Sequence, residues 1–139
     1  MKIKTSELTG PALDWAVAKC EGVSFVYGDC EYELDGRVFQ RGGCSVERRY
    51  STDWAQGGPI IERKGIAVMR IANRLPHQQW DAGEEGETAT EFFGIVCGPT
   101  ALIAAMRFYV IDELGDEVDV PDELALDAFI YDTTPYEEQ

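Results

Sequence analysis

One short segment of the chain combines side chains that could bind a small polar or anionic group. In residues 53–59 a carboxylate, an indole and an amide come just before two glycines and a proline. Glycine lets a partner approach the backbone closely, and a helix that begins at Gly58-Pro59 would direct free N–H groups at an anion. The residues expected to bind a ligand are Asp53, Trp54, Gln56, Gly57 and Gly58, with Thr100 from a second Gly-Pro segment.

The same residues also have a purely structural interpretation. Asp53 or Gln56 can cap backbone N–H groups, Trp54 can fill the core, and Thr100 can bond to its own helix. The segment lacks the Lys and Ser/Thr that make a phosphate-binding loop specific. Ligand binding requires the two Gly-Pro segments to face one pocket, and the sequence leaves both interpretations open.

Two other residues could in principle form a nucleophile and its base. Cys97 precedes Gly98-Pro99, where a helix N-terminus would stabilise a thiolate, and His77 is the only histidine. Nothing in the sequence brings the two together, and cysteine is commonly an inert buried residue. The closely spaced glutamates match neither a calcium loop nor a glycosidase pair. We therefore expect no catalytic residue, no metal site and no cofactor, and the sequence favours a role other than catalysis.

The charge of the chain is strongly negative and unevenly distributed. The net charge is −14, and no Lys or Arg follows Arg107, whereas eleven of the 26 acidic residues do. Direct binding to nucleic acid is disfavoured, because phosphate contacts are made mainly by Lys and Arg. An acidic end can attract a basic protein, mimic DNA if its carboxylates are suitably spaced, or simply keep the chain in solution.

Length and composition favour one globular domain. A chain of 139 residues can bury a sizeable core. No apolar run approaches the roughly 18 residues of a membrane span, and no signal peptide is expected at the N-terminus. Four scattered cysteines without a Cys-x-x-Cys pair predict neither a disulfide scaffold nor zinc, which favours reduced thiols in the cytosol.

Two helices are predicted to position the segments above. The first runs over about 10–21, with Thr9 as N-cap and Gly22 as its end. The second runs over about 99–114, with Gly98 as N-cap, Pro99 as first residue and Gly115 as a left-handed end. This helix is apolar nearly all round, so protein must cover it on several sides, and we expect it to be central and buried.

The remaining pattern predicts an α+β fold in a single domain, with a small antiparallel or mixed sheet packed around the central helix. Asp35-Gly36 favours a hairpin turn, because glycine tolerates the positive φ required. The domain should cover 1–126, and an acidic C-terminal tail, 127–139, should be partly disordered. Strands are predicted over 23–27, 31–34, 37–39, 44–50, 66–71 and 90–96, a short helix over 59–63, an extended segment over 118–120, a lead-in over 1–8 and an exposed loop over 76–88.

Three segments together resemble one family. They are residues 4–21 with Gly-Pro-Ala-Leu-Asp-Trp, residues 50–66 with Asp-Trp-Ala-Gln-Gly-Gly-Pro, and residues 98–107 with Gly-Pro-Thr-Ala-Leu, followed by residues 114–121. In this order they are similar to the NinX-like proteins of tailed phages and prophages. The resemblance implies a phage or prophage origin and expression in the host cytoplasm, but the family has no assigned activity, so no functional residue is carried over.

The sequence therefore predicts a phage or prophage accessory protein that binds a basic host or phage protein through an acidic surface. The alternative is a small-ligand-binding protein or minor enzyme that uses the segment from Asp53 to Pro59 and the helix start from Gly98 to Thr100. The oligomeric state is left open.

Overall fold

The fold combines three main helices with three small antiparallel sheets, one of two strands and two of three strands. A computed structural model describes residues 1–34, 37–40, 47–86 and 92–125. The predicted α+β class is confirmed. The helices are α1 (Gly10–Glu21), α2 (Trp54–Lys64) and α3 (Ala101–Leu114). The strands are β1 (Lys2–Lys4), β2 (Phe25–Tyr27), β3 (Cys30–Tyr32), β4 (Val38–Gln40), β5 (Ala67–Arg70), β6 (Trp80–Glu85), β7 (Phe92–Gly98) and β8 (Glu117–Asp119). They pair in the orders β1-β8, β2-β3-β4 and β5-β6-β7.

Helix α3 is the central buried element that its apolar surface predicts. Nine of its fourteen residues are buried, and it packs against β5–β7, α1 and α2. It begins two residues later than predicted, because Gly98 stays in β7 opposite Trp80 and Thr100 is the N-cap. The Thr100 hydroxyl accepts a hydrogen bond from the Ile103 N–H at 3.1 Å. Gly115 ends the helix with a positive φ of 96° but an extended ψ, not in the left-handed helical region.

Helix α1 confirms its predicted bounds, with Thr9 as N-cap and left-handed Gly22 at its end. The interpretation of residues 1–8 as a lead-in is wrong. Residues 2–4 form β1, in which Ile3 pairs with Val118 of β8. The physical reason is tertiary, because the extended segment after α3 supplies a strand partner more than a hundred residues away.

The exposed loop predicted over 76–88 is also wrong, because its centre, residues 80–85, is β6, the middle strand of its sheet. Gln, Gly and Glu have low strand propensity, but β6 has hydrogen-bonded neighbours on both sides. Gly83 is required there, since a Cβ atom would lie only 1.8 Å from the carbonyl oxygen of Phe93. Asp81 is buried and forms an ion pair with Arg74, which allows a carboxylate in a central strand.

The predicted short helix over 59–63 is a longer one that begins at Trp54. Asp53 is the N-cap, and its side chain accepts a hydrogen bond from the Ala55 N–H at 3.0 Å. Pro59 therefore lies inside α2 and not at its start. Proline cannot donate the backbone hydrogen bond at this position, while its neighbours Gly57 and Ile60 are buried.

The other strand predictions fall partly inside the described residues. Strands β2, β3, β4, β5 and β7 confirm the segments predicted near them. The strand predicted over 44–50 is not found in residues 47–50, and its beginning lies outside the described residues. The turn at Asp35-Gly36 and the tail over 127–139 also lie outside them, so both stay predictions.

One buried cation joins three distant parts of the fold. Arg107 of α3 is only 5% exposed. Its Nε donates to the carbonyl oxygen of Leu8 at 2.7 Å, and its Nη1 donates to that of Cys97 at 2.9 Å. Because a buried charge must be hydrogen-bonded to be tolerated, this guanidinium fixes α3 relative to both the start of α1 and strand β7.

Replacing Arg107 should therefore destabilise the fold. The change Arg107→Met leaves the two carbonyl oxygens without their donor, and we expect a loss of about 2–4 kcal/mol in the free energy of unfolding, measured by urea denaturation. The matched change Arg70→Met, at an exposed arginine, should cost less than about 0.5 kcal/mol. Equal losses in the two variants would contradict the structural role of Arg107.

The two adjacent glycines of α2 should respond oppositely to alanine. A Cβ atom on Gly57 would lie 2.3 Å from the Tyr50 carbonyl oxygen and 2.6 Å from Leu102 Cδ1, whereas one on Gly58 would meet only Trp54 at 3.7 Å. We expect Gly57→Ala to destabilise by about 1–3 kcal/mol through overpacking. Gly58→Ala should stabilise by about 0.5–1 kcal/mol through helix propensity. Thermal unfolding of the two variants tests the pair, and the same sign for both would refute it.

Candidate functional site

A cavity of about 490 Å³ among the described residues lies beside the start of α1. It lies between α1, strand β2, the segment over 47–52 and the first turn of α3. Its size is within the range of small-molecule sites. We call it the Asp14 cavity, and its lining residues are Thr9, Gly10, Pro11, Asp14, Phe25, Val26, Tyr27, Gly28, Glu47, Arg48, Arg49, Thr52 and Ile103.

Asp14 is the buried polar group of this cavity. It is 7% exposed, and its Oδ1 accepts a hydrogen bond from the Ser51 N–H at 2.8 Å. Desolvation raises the pKa of Asp14 to about 6, although Ser51 and the charge of Arg49 act in the opposite direction. A desolvated carboxylate in a cavity is a typical mark of a functional site, so Asp14 can accept a hydrogen bond or a positive charge from a guest.

Two arginines complete the charged part of the cavity. Arg49 donates to Glu47 Oε2 at 2.7 Å on the exposed rim. Arg48 lies beside the Tyr50 hydroxyl, and its buried Nε has no hydrogen-bond partner among the described residues. Arg48 therefore lines the cavity with a guanidinium of which one donor has no acceptor among the described residues.

The polar side chains predicted to bind a ligand bond to neighbouring groups of the protein. Gln56 Oε1 accepts from the Arg49 N–H at 2.9 Å, and Gln56 Nε2 donates to Asp53 Oδ2 at 3.2 Å. Asp53 and Thr100 cap α2 and α3 as described above. These bonds hold the segment that forms one wall of the Asp14 cavity, so Asp53 and Gln56 support that wall without lining it.

The other predicted site residues have different environments. Trp54 is 56% exposed and does not fill the core. Gly57 is buried against Tyr50 and Leu102. Gly58 is the next residue of α2, where an added Cβ atom would contact only Trp54. The six predicted residues line no shared pocket among those found in the described part of the chain. Ligand binding by this set stays a prediction.

Sequence reasoning missed Asp14 and Arg48. The signal for Asp14 was available, because it is the only charged residue in residues 8–18, within a helix that buries every residue from Ala12 to Ala18. A lone carboxylate among buried residues needs a partner or a function. Arg48 had no such signal, since its segment has no regular periodicity.

The cysteines have structural environments. Cys97 lies in β7, and α3 begins only at Ala101, so the expected helix N-terminus is not at its thiol. Burial, and secondarily the charges of Glu113 and Glu21, raises the pKa of Cys20 to about 12. Such a thiol is a poor nucleophile at neutral pH.

Acidic residues gather on a second surface, formed by the end of α3, strand β8 and the turn after it. We call this surface the acidic edge. Four of its seven carboxylates pair with cations of the same chain: Glu113 with Lys64, Glu117 with Lys2, and both Asp119 and Asp122 with the N-terminal amine. Its members are Asp112, Glu113, Asp116, Glu117, Asp119, Asp122 and Glu123.

The described residues lack two other kinds of site. Within them, no group of three His, Cys, Asp or Glu side chains could hold a metal ion. None of the helices in the described ranges has the length and hydrophobicity to span a membrane.

Comparison with known proteins identifies the family. A family model described as "Bacteriophage P22, NinX" matches residues 4–113, which is well over half of the chain. The chain belongs to the bacteriophage P22 NinX family. A search of curated proteins finds no match. In this NinX family member, the matched region contains every residue that lines the Asp14 cavity and ends before most of the acidic edge.

The raised pKa of Asp14 predicts a pH-dependent stability. The folded-state pKa of about 6 exceeds the ordinary value of 3.8, so the folded state binds the extra proton and gains stability as pH falls from about 6 to 4. Between pH 7.5 and 4.5, the free energy of unfolding of the wild type should rise by on the order of 2 kcal/mol relative to Asp14→Asn. The asparagine keeps the acceptor for Ser51 but cannot titrate.

Urea denaturation of both proteins across this pH range measures the effect. Other titrating groups are common to the two proteins and cancel in the difference. A difference that does not change with pH would refute the assignment to Asp14.

Proposed function

We propose that this phage accessory protein is a protein-binding module that uses its acidic edge to bind a basic host or phage protein in the host cytoplasm. Membership of the NinX family supports the phage origin. The observation that carries the finer proposal is that the exposed carboxylates of Asp112, Asp116 and Glu123 have no ion pair among the described residues. They are available to a partner without breaking a contact of the fold.

The end of α3 adds to the negative potential of this edge. A helix C-terminus carries roughly half a negative charge, and the last turn of α3 contains no basic residue to offset it. Asp112 and Glu113 lie in that turn, and Asp116 comes just after the C-cap Gly115. The partner should therefore carry a basic surface, since complementary charges accelerate encounter and exclude partners of like charge.

The paired carboxylates limit the size of the available surface. Lys2, Lys64 and the N-terminal amine neutralise part of the edge, so the three unpaired carboxylates should contribute most to binding. Each exposed ion pair with a partner would contribute little and would be screened by dissolved ions. We therefore expect binding to weaken as the salt concentration rises.

Small-ligand binding by Asp53, Gln56 and Thr100 is the second candidate, and it has weaker support. All three polar side chains are hydrogen-bonded to neighbouring groups. A ligand would have to compete with these bonds.

Neutralising the unpaired carboxylates should weaken capture of the partner. Immobilised wild-type protein and the variant Asp116→Asn/Glu123→Gln are incubated with nuclease-treated bacterial lysate, and retained proteins are identified and then titrated in purified form. Raising NaCl from 50 to 300 mM should weaken wild-type binding at least tenfold, because exposed charges are screened beyond roughly 10 Å. The variant should bind at least threefold more weakly at 50 mM.

The matched control is Asp29→Asn/Glu62→Gln, which changes the net charge equally at exposed residues away from the edge. It should bind as the wild type does. Retention of no protein at 50 mM NaCl, or equal loss in both double variants, would overturn the proposal.

A further inference from the structure

We propose that the Asp14 cavity binds a small zwitterion with an apolar body, an amino acid or a short peptide, with its ammonium at Asp14 and its carboxylate at Arg48. This site is separate from the acidic edge, since none of its lining residues belongs to that surface. The two proposals can therefore fail independently.

The charges of the cavity match a guest that is neutral overall but carries both signs. Two carboxylates and two guanidinium groups line the cavity. Glu47 and Arg49 bond to each other at 2.7 Å, which leaves Asp14 and Arg48. The protein thus presents one negative and one positive group that no ion pair among the described residues satisfies.

The carboxylate of Asp14 is oriented and incompletely satisfied. Ser51 N–H donates to Oδ1 at 2.8 Å, the Ser51 hydroxyl also stabilises the charged form, and no cation forms an ion pair with this carboxylate among the described residues. Arg49 acts on Asp14 only as a nearby charge. A guest ammonium would supply the direct counter-charge that this buried carboxylate lacks, and hydrogen bonds between charged groups are the stronger ones.

Arg48 supplies the opposite end of the site. Its Nε is buried and has no acceptor among the described residues, and leaving a buried donor unsatisfied is costly. The flat guanidinium group binds carboxylates specifically. A cation alone would leave this donor unsatisfied, and an anion alone would leave Asp14 without a counter-charge.

The walls between these two groups are largely apolar. Phe25, Val26, Pro11 and Ile103 line the cavity, and the first two are almost fully buried. Such surfaces favour an aliphatic or aromatic guest body, because its burial removes apolar area from water. A volume of about 490 Å³ accommodates either an amino acid or a short peptide.

Calorimetry with a matched set of probes tests the charge pattern on the wild-type chain. The zwitterionic probes are phenylalanine, alanyl-phenylalanine and dialanyl-phenylalanine, which place the two charges at increasing separations and so distinguish an amino acid from a peptide. The probes with one charge are phenylethylamine and 3-phenylpropionate. At least one zwitterion should bind, and both singly charged probes should bind at least tenfold more weakly than it does.

Substitutions then assign the two ends. Asp14→Asn and Arg48→Gln should each weaken binding of the best zwitterion at least tenfold, and Arg48→Gln should leave binding of phenylethylamine within twofold. The control Arg70→Gln, at an exposed arginine that does not line the cavity, should change zwitterion binding less than threefold. Circular dichroism verifies that each variant is folded, and the probe series on the wild type remains decisive if one is not.

Amide NMR shifts locate the site. Bound zwitterion should shift Thr9, Val26 and Ile103 and leave Asp116 unchanged. The proposal is overturned if no zwitterion binds, if phenylethylamine or 3-phenylpropionate binds as tightly as the best zwitterion, or if the shifts lie away from the cavity.

Discussion

The burial of the Arg107 guanidinium is the constraint on which the rest of the structure depends. A charge in the interior of an acidic chain must be matched by fixed acceptors, and two of these are carbonyl oxygens of Leu8 and Cys97. Leu8 lies just before α1, and Cys97 lies near the end of β7. The Arg107 side chain therefore fixes where α1 packs against α3 and where α3 lies on its sheet. The Asp14 cavity lies between α1 and the first turn of α3, and its shape follows from this arrangement.

Most polar side chains near the cavity act as backbone caps. Asp53, Gln56 and Thr100 each accept from a backbone N–H, which helix termini and irregular segments require. Asp14 also accepts from a backbone N–H, but it differs in being buried at the wall of a cavity. The same chemical group is structural in one place and available to a guest in another, and burial with incomplete bonding makes the difference.

The cavity and the acidic edge have opposite electrostatic character. Two acidic and two basic side chains balance in the cavity, whereas the edge carries seven carboxylates and is only partly neutralised. They also differ in their relation to the NinX family, because the match over 4–113 includes the cavity and omits most of the edge. A phage protein with both surfaces can combine a site for a small guest with a site for a larger partner.

Local sequence determined helix α1 with both of its ends and the burial of helix α3. The period of apolar residues in α1, its start at Thr9 and its end at Gly22 are encoded within a few residues, and so is the apolar surface that makes α3 central. The α+β class and the family resemblance follow from the same segments. The tertiary structure alone decided that 80–85 is a central strand and that residues 2–4 pair with 117–119, whereas α2 begins before Pro59 because of its local cap Asp53. Both pairings depend on strand partners outside the segment itself, and the Asp14 cavity likewise forms only where α1, β2, the segment over 47–52 and α3 meet.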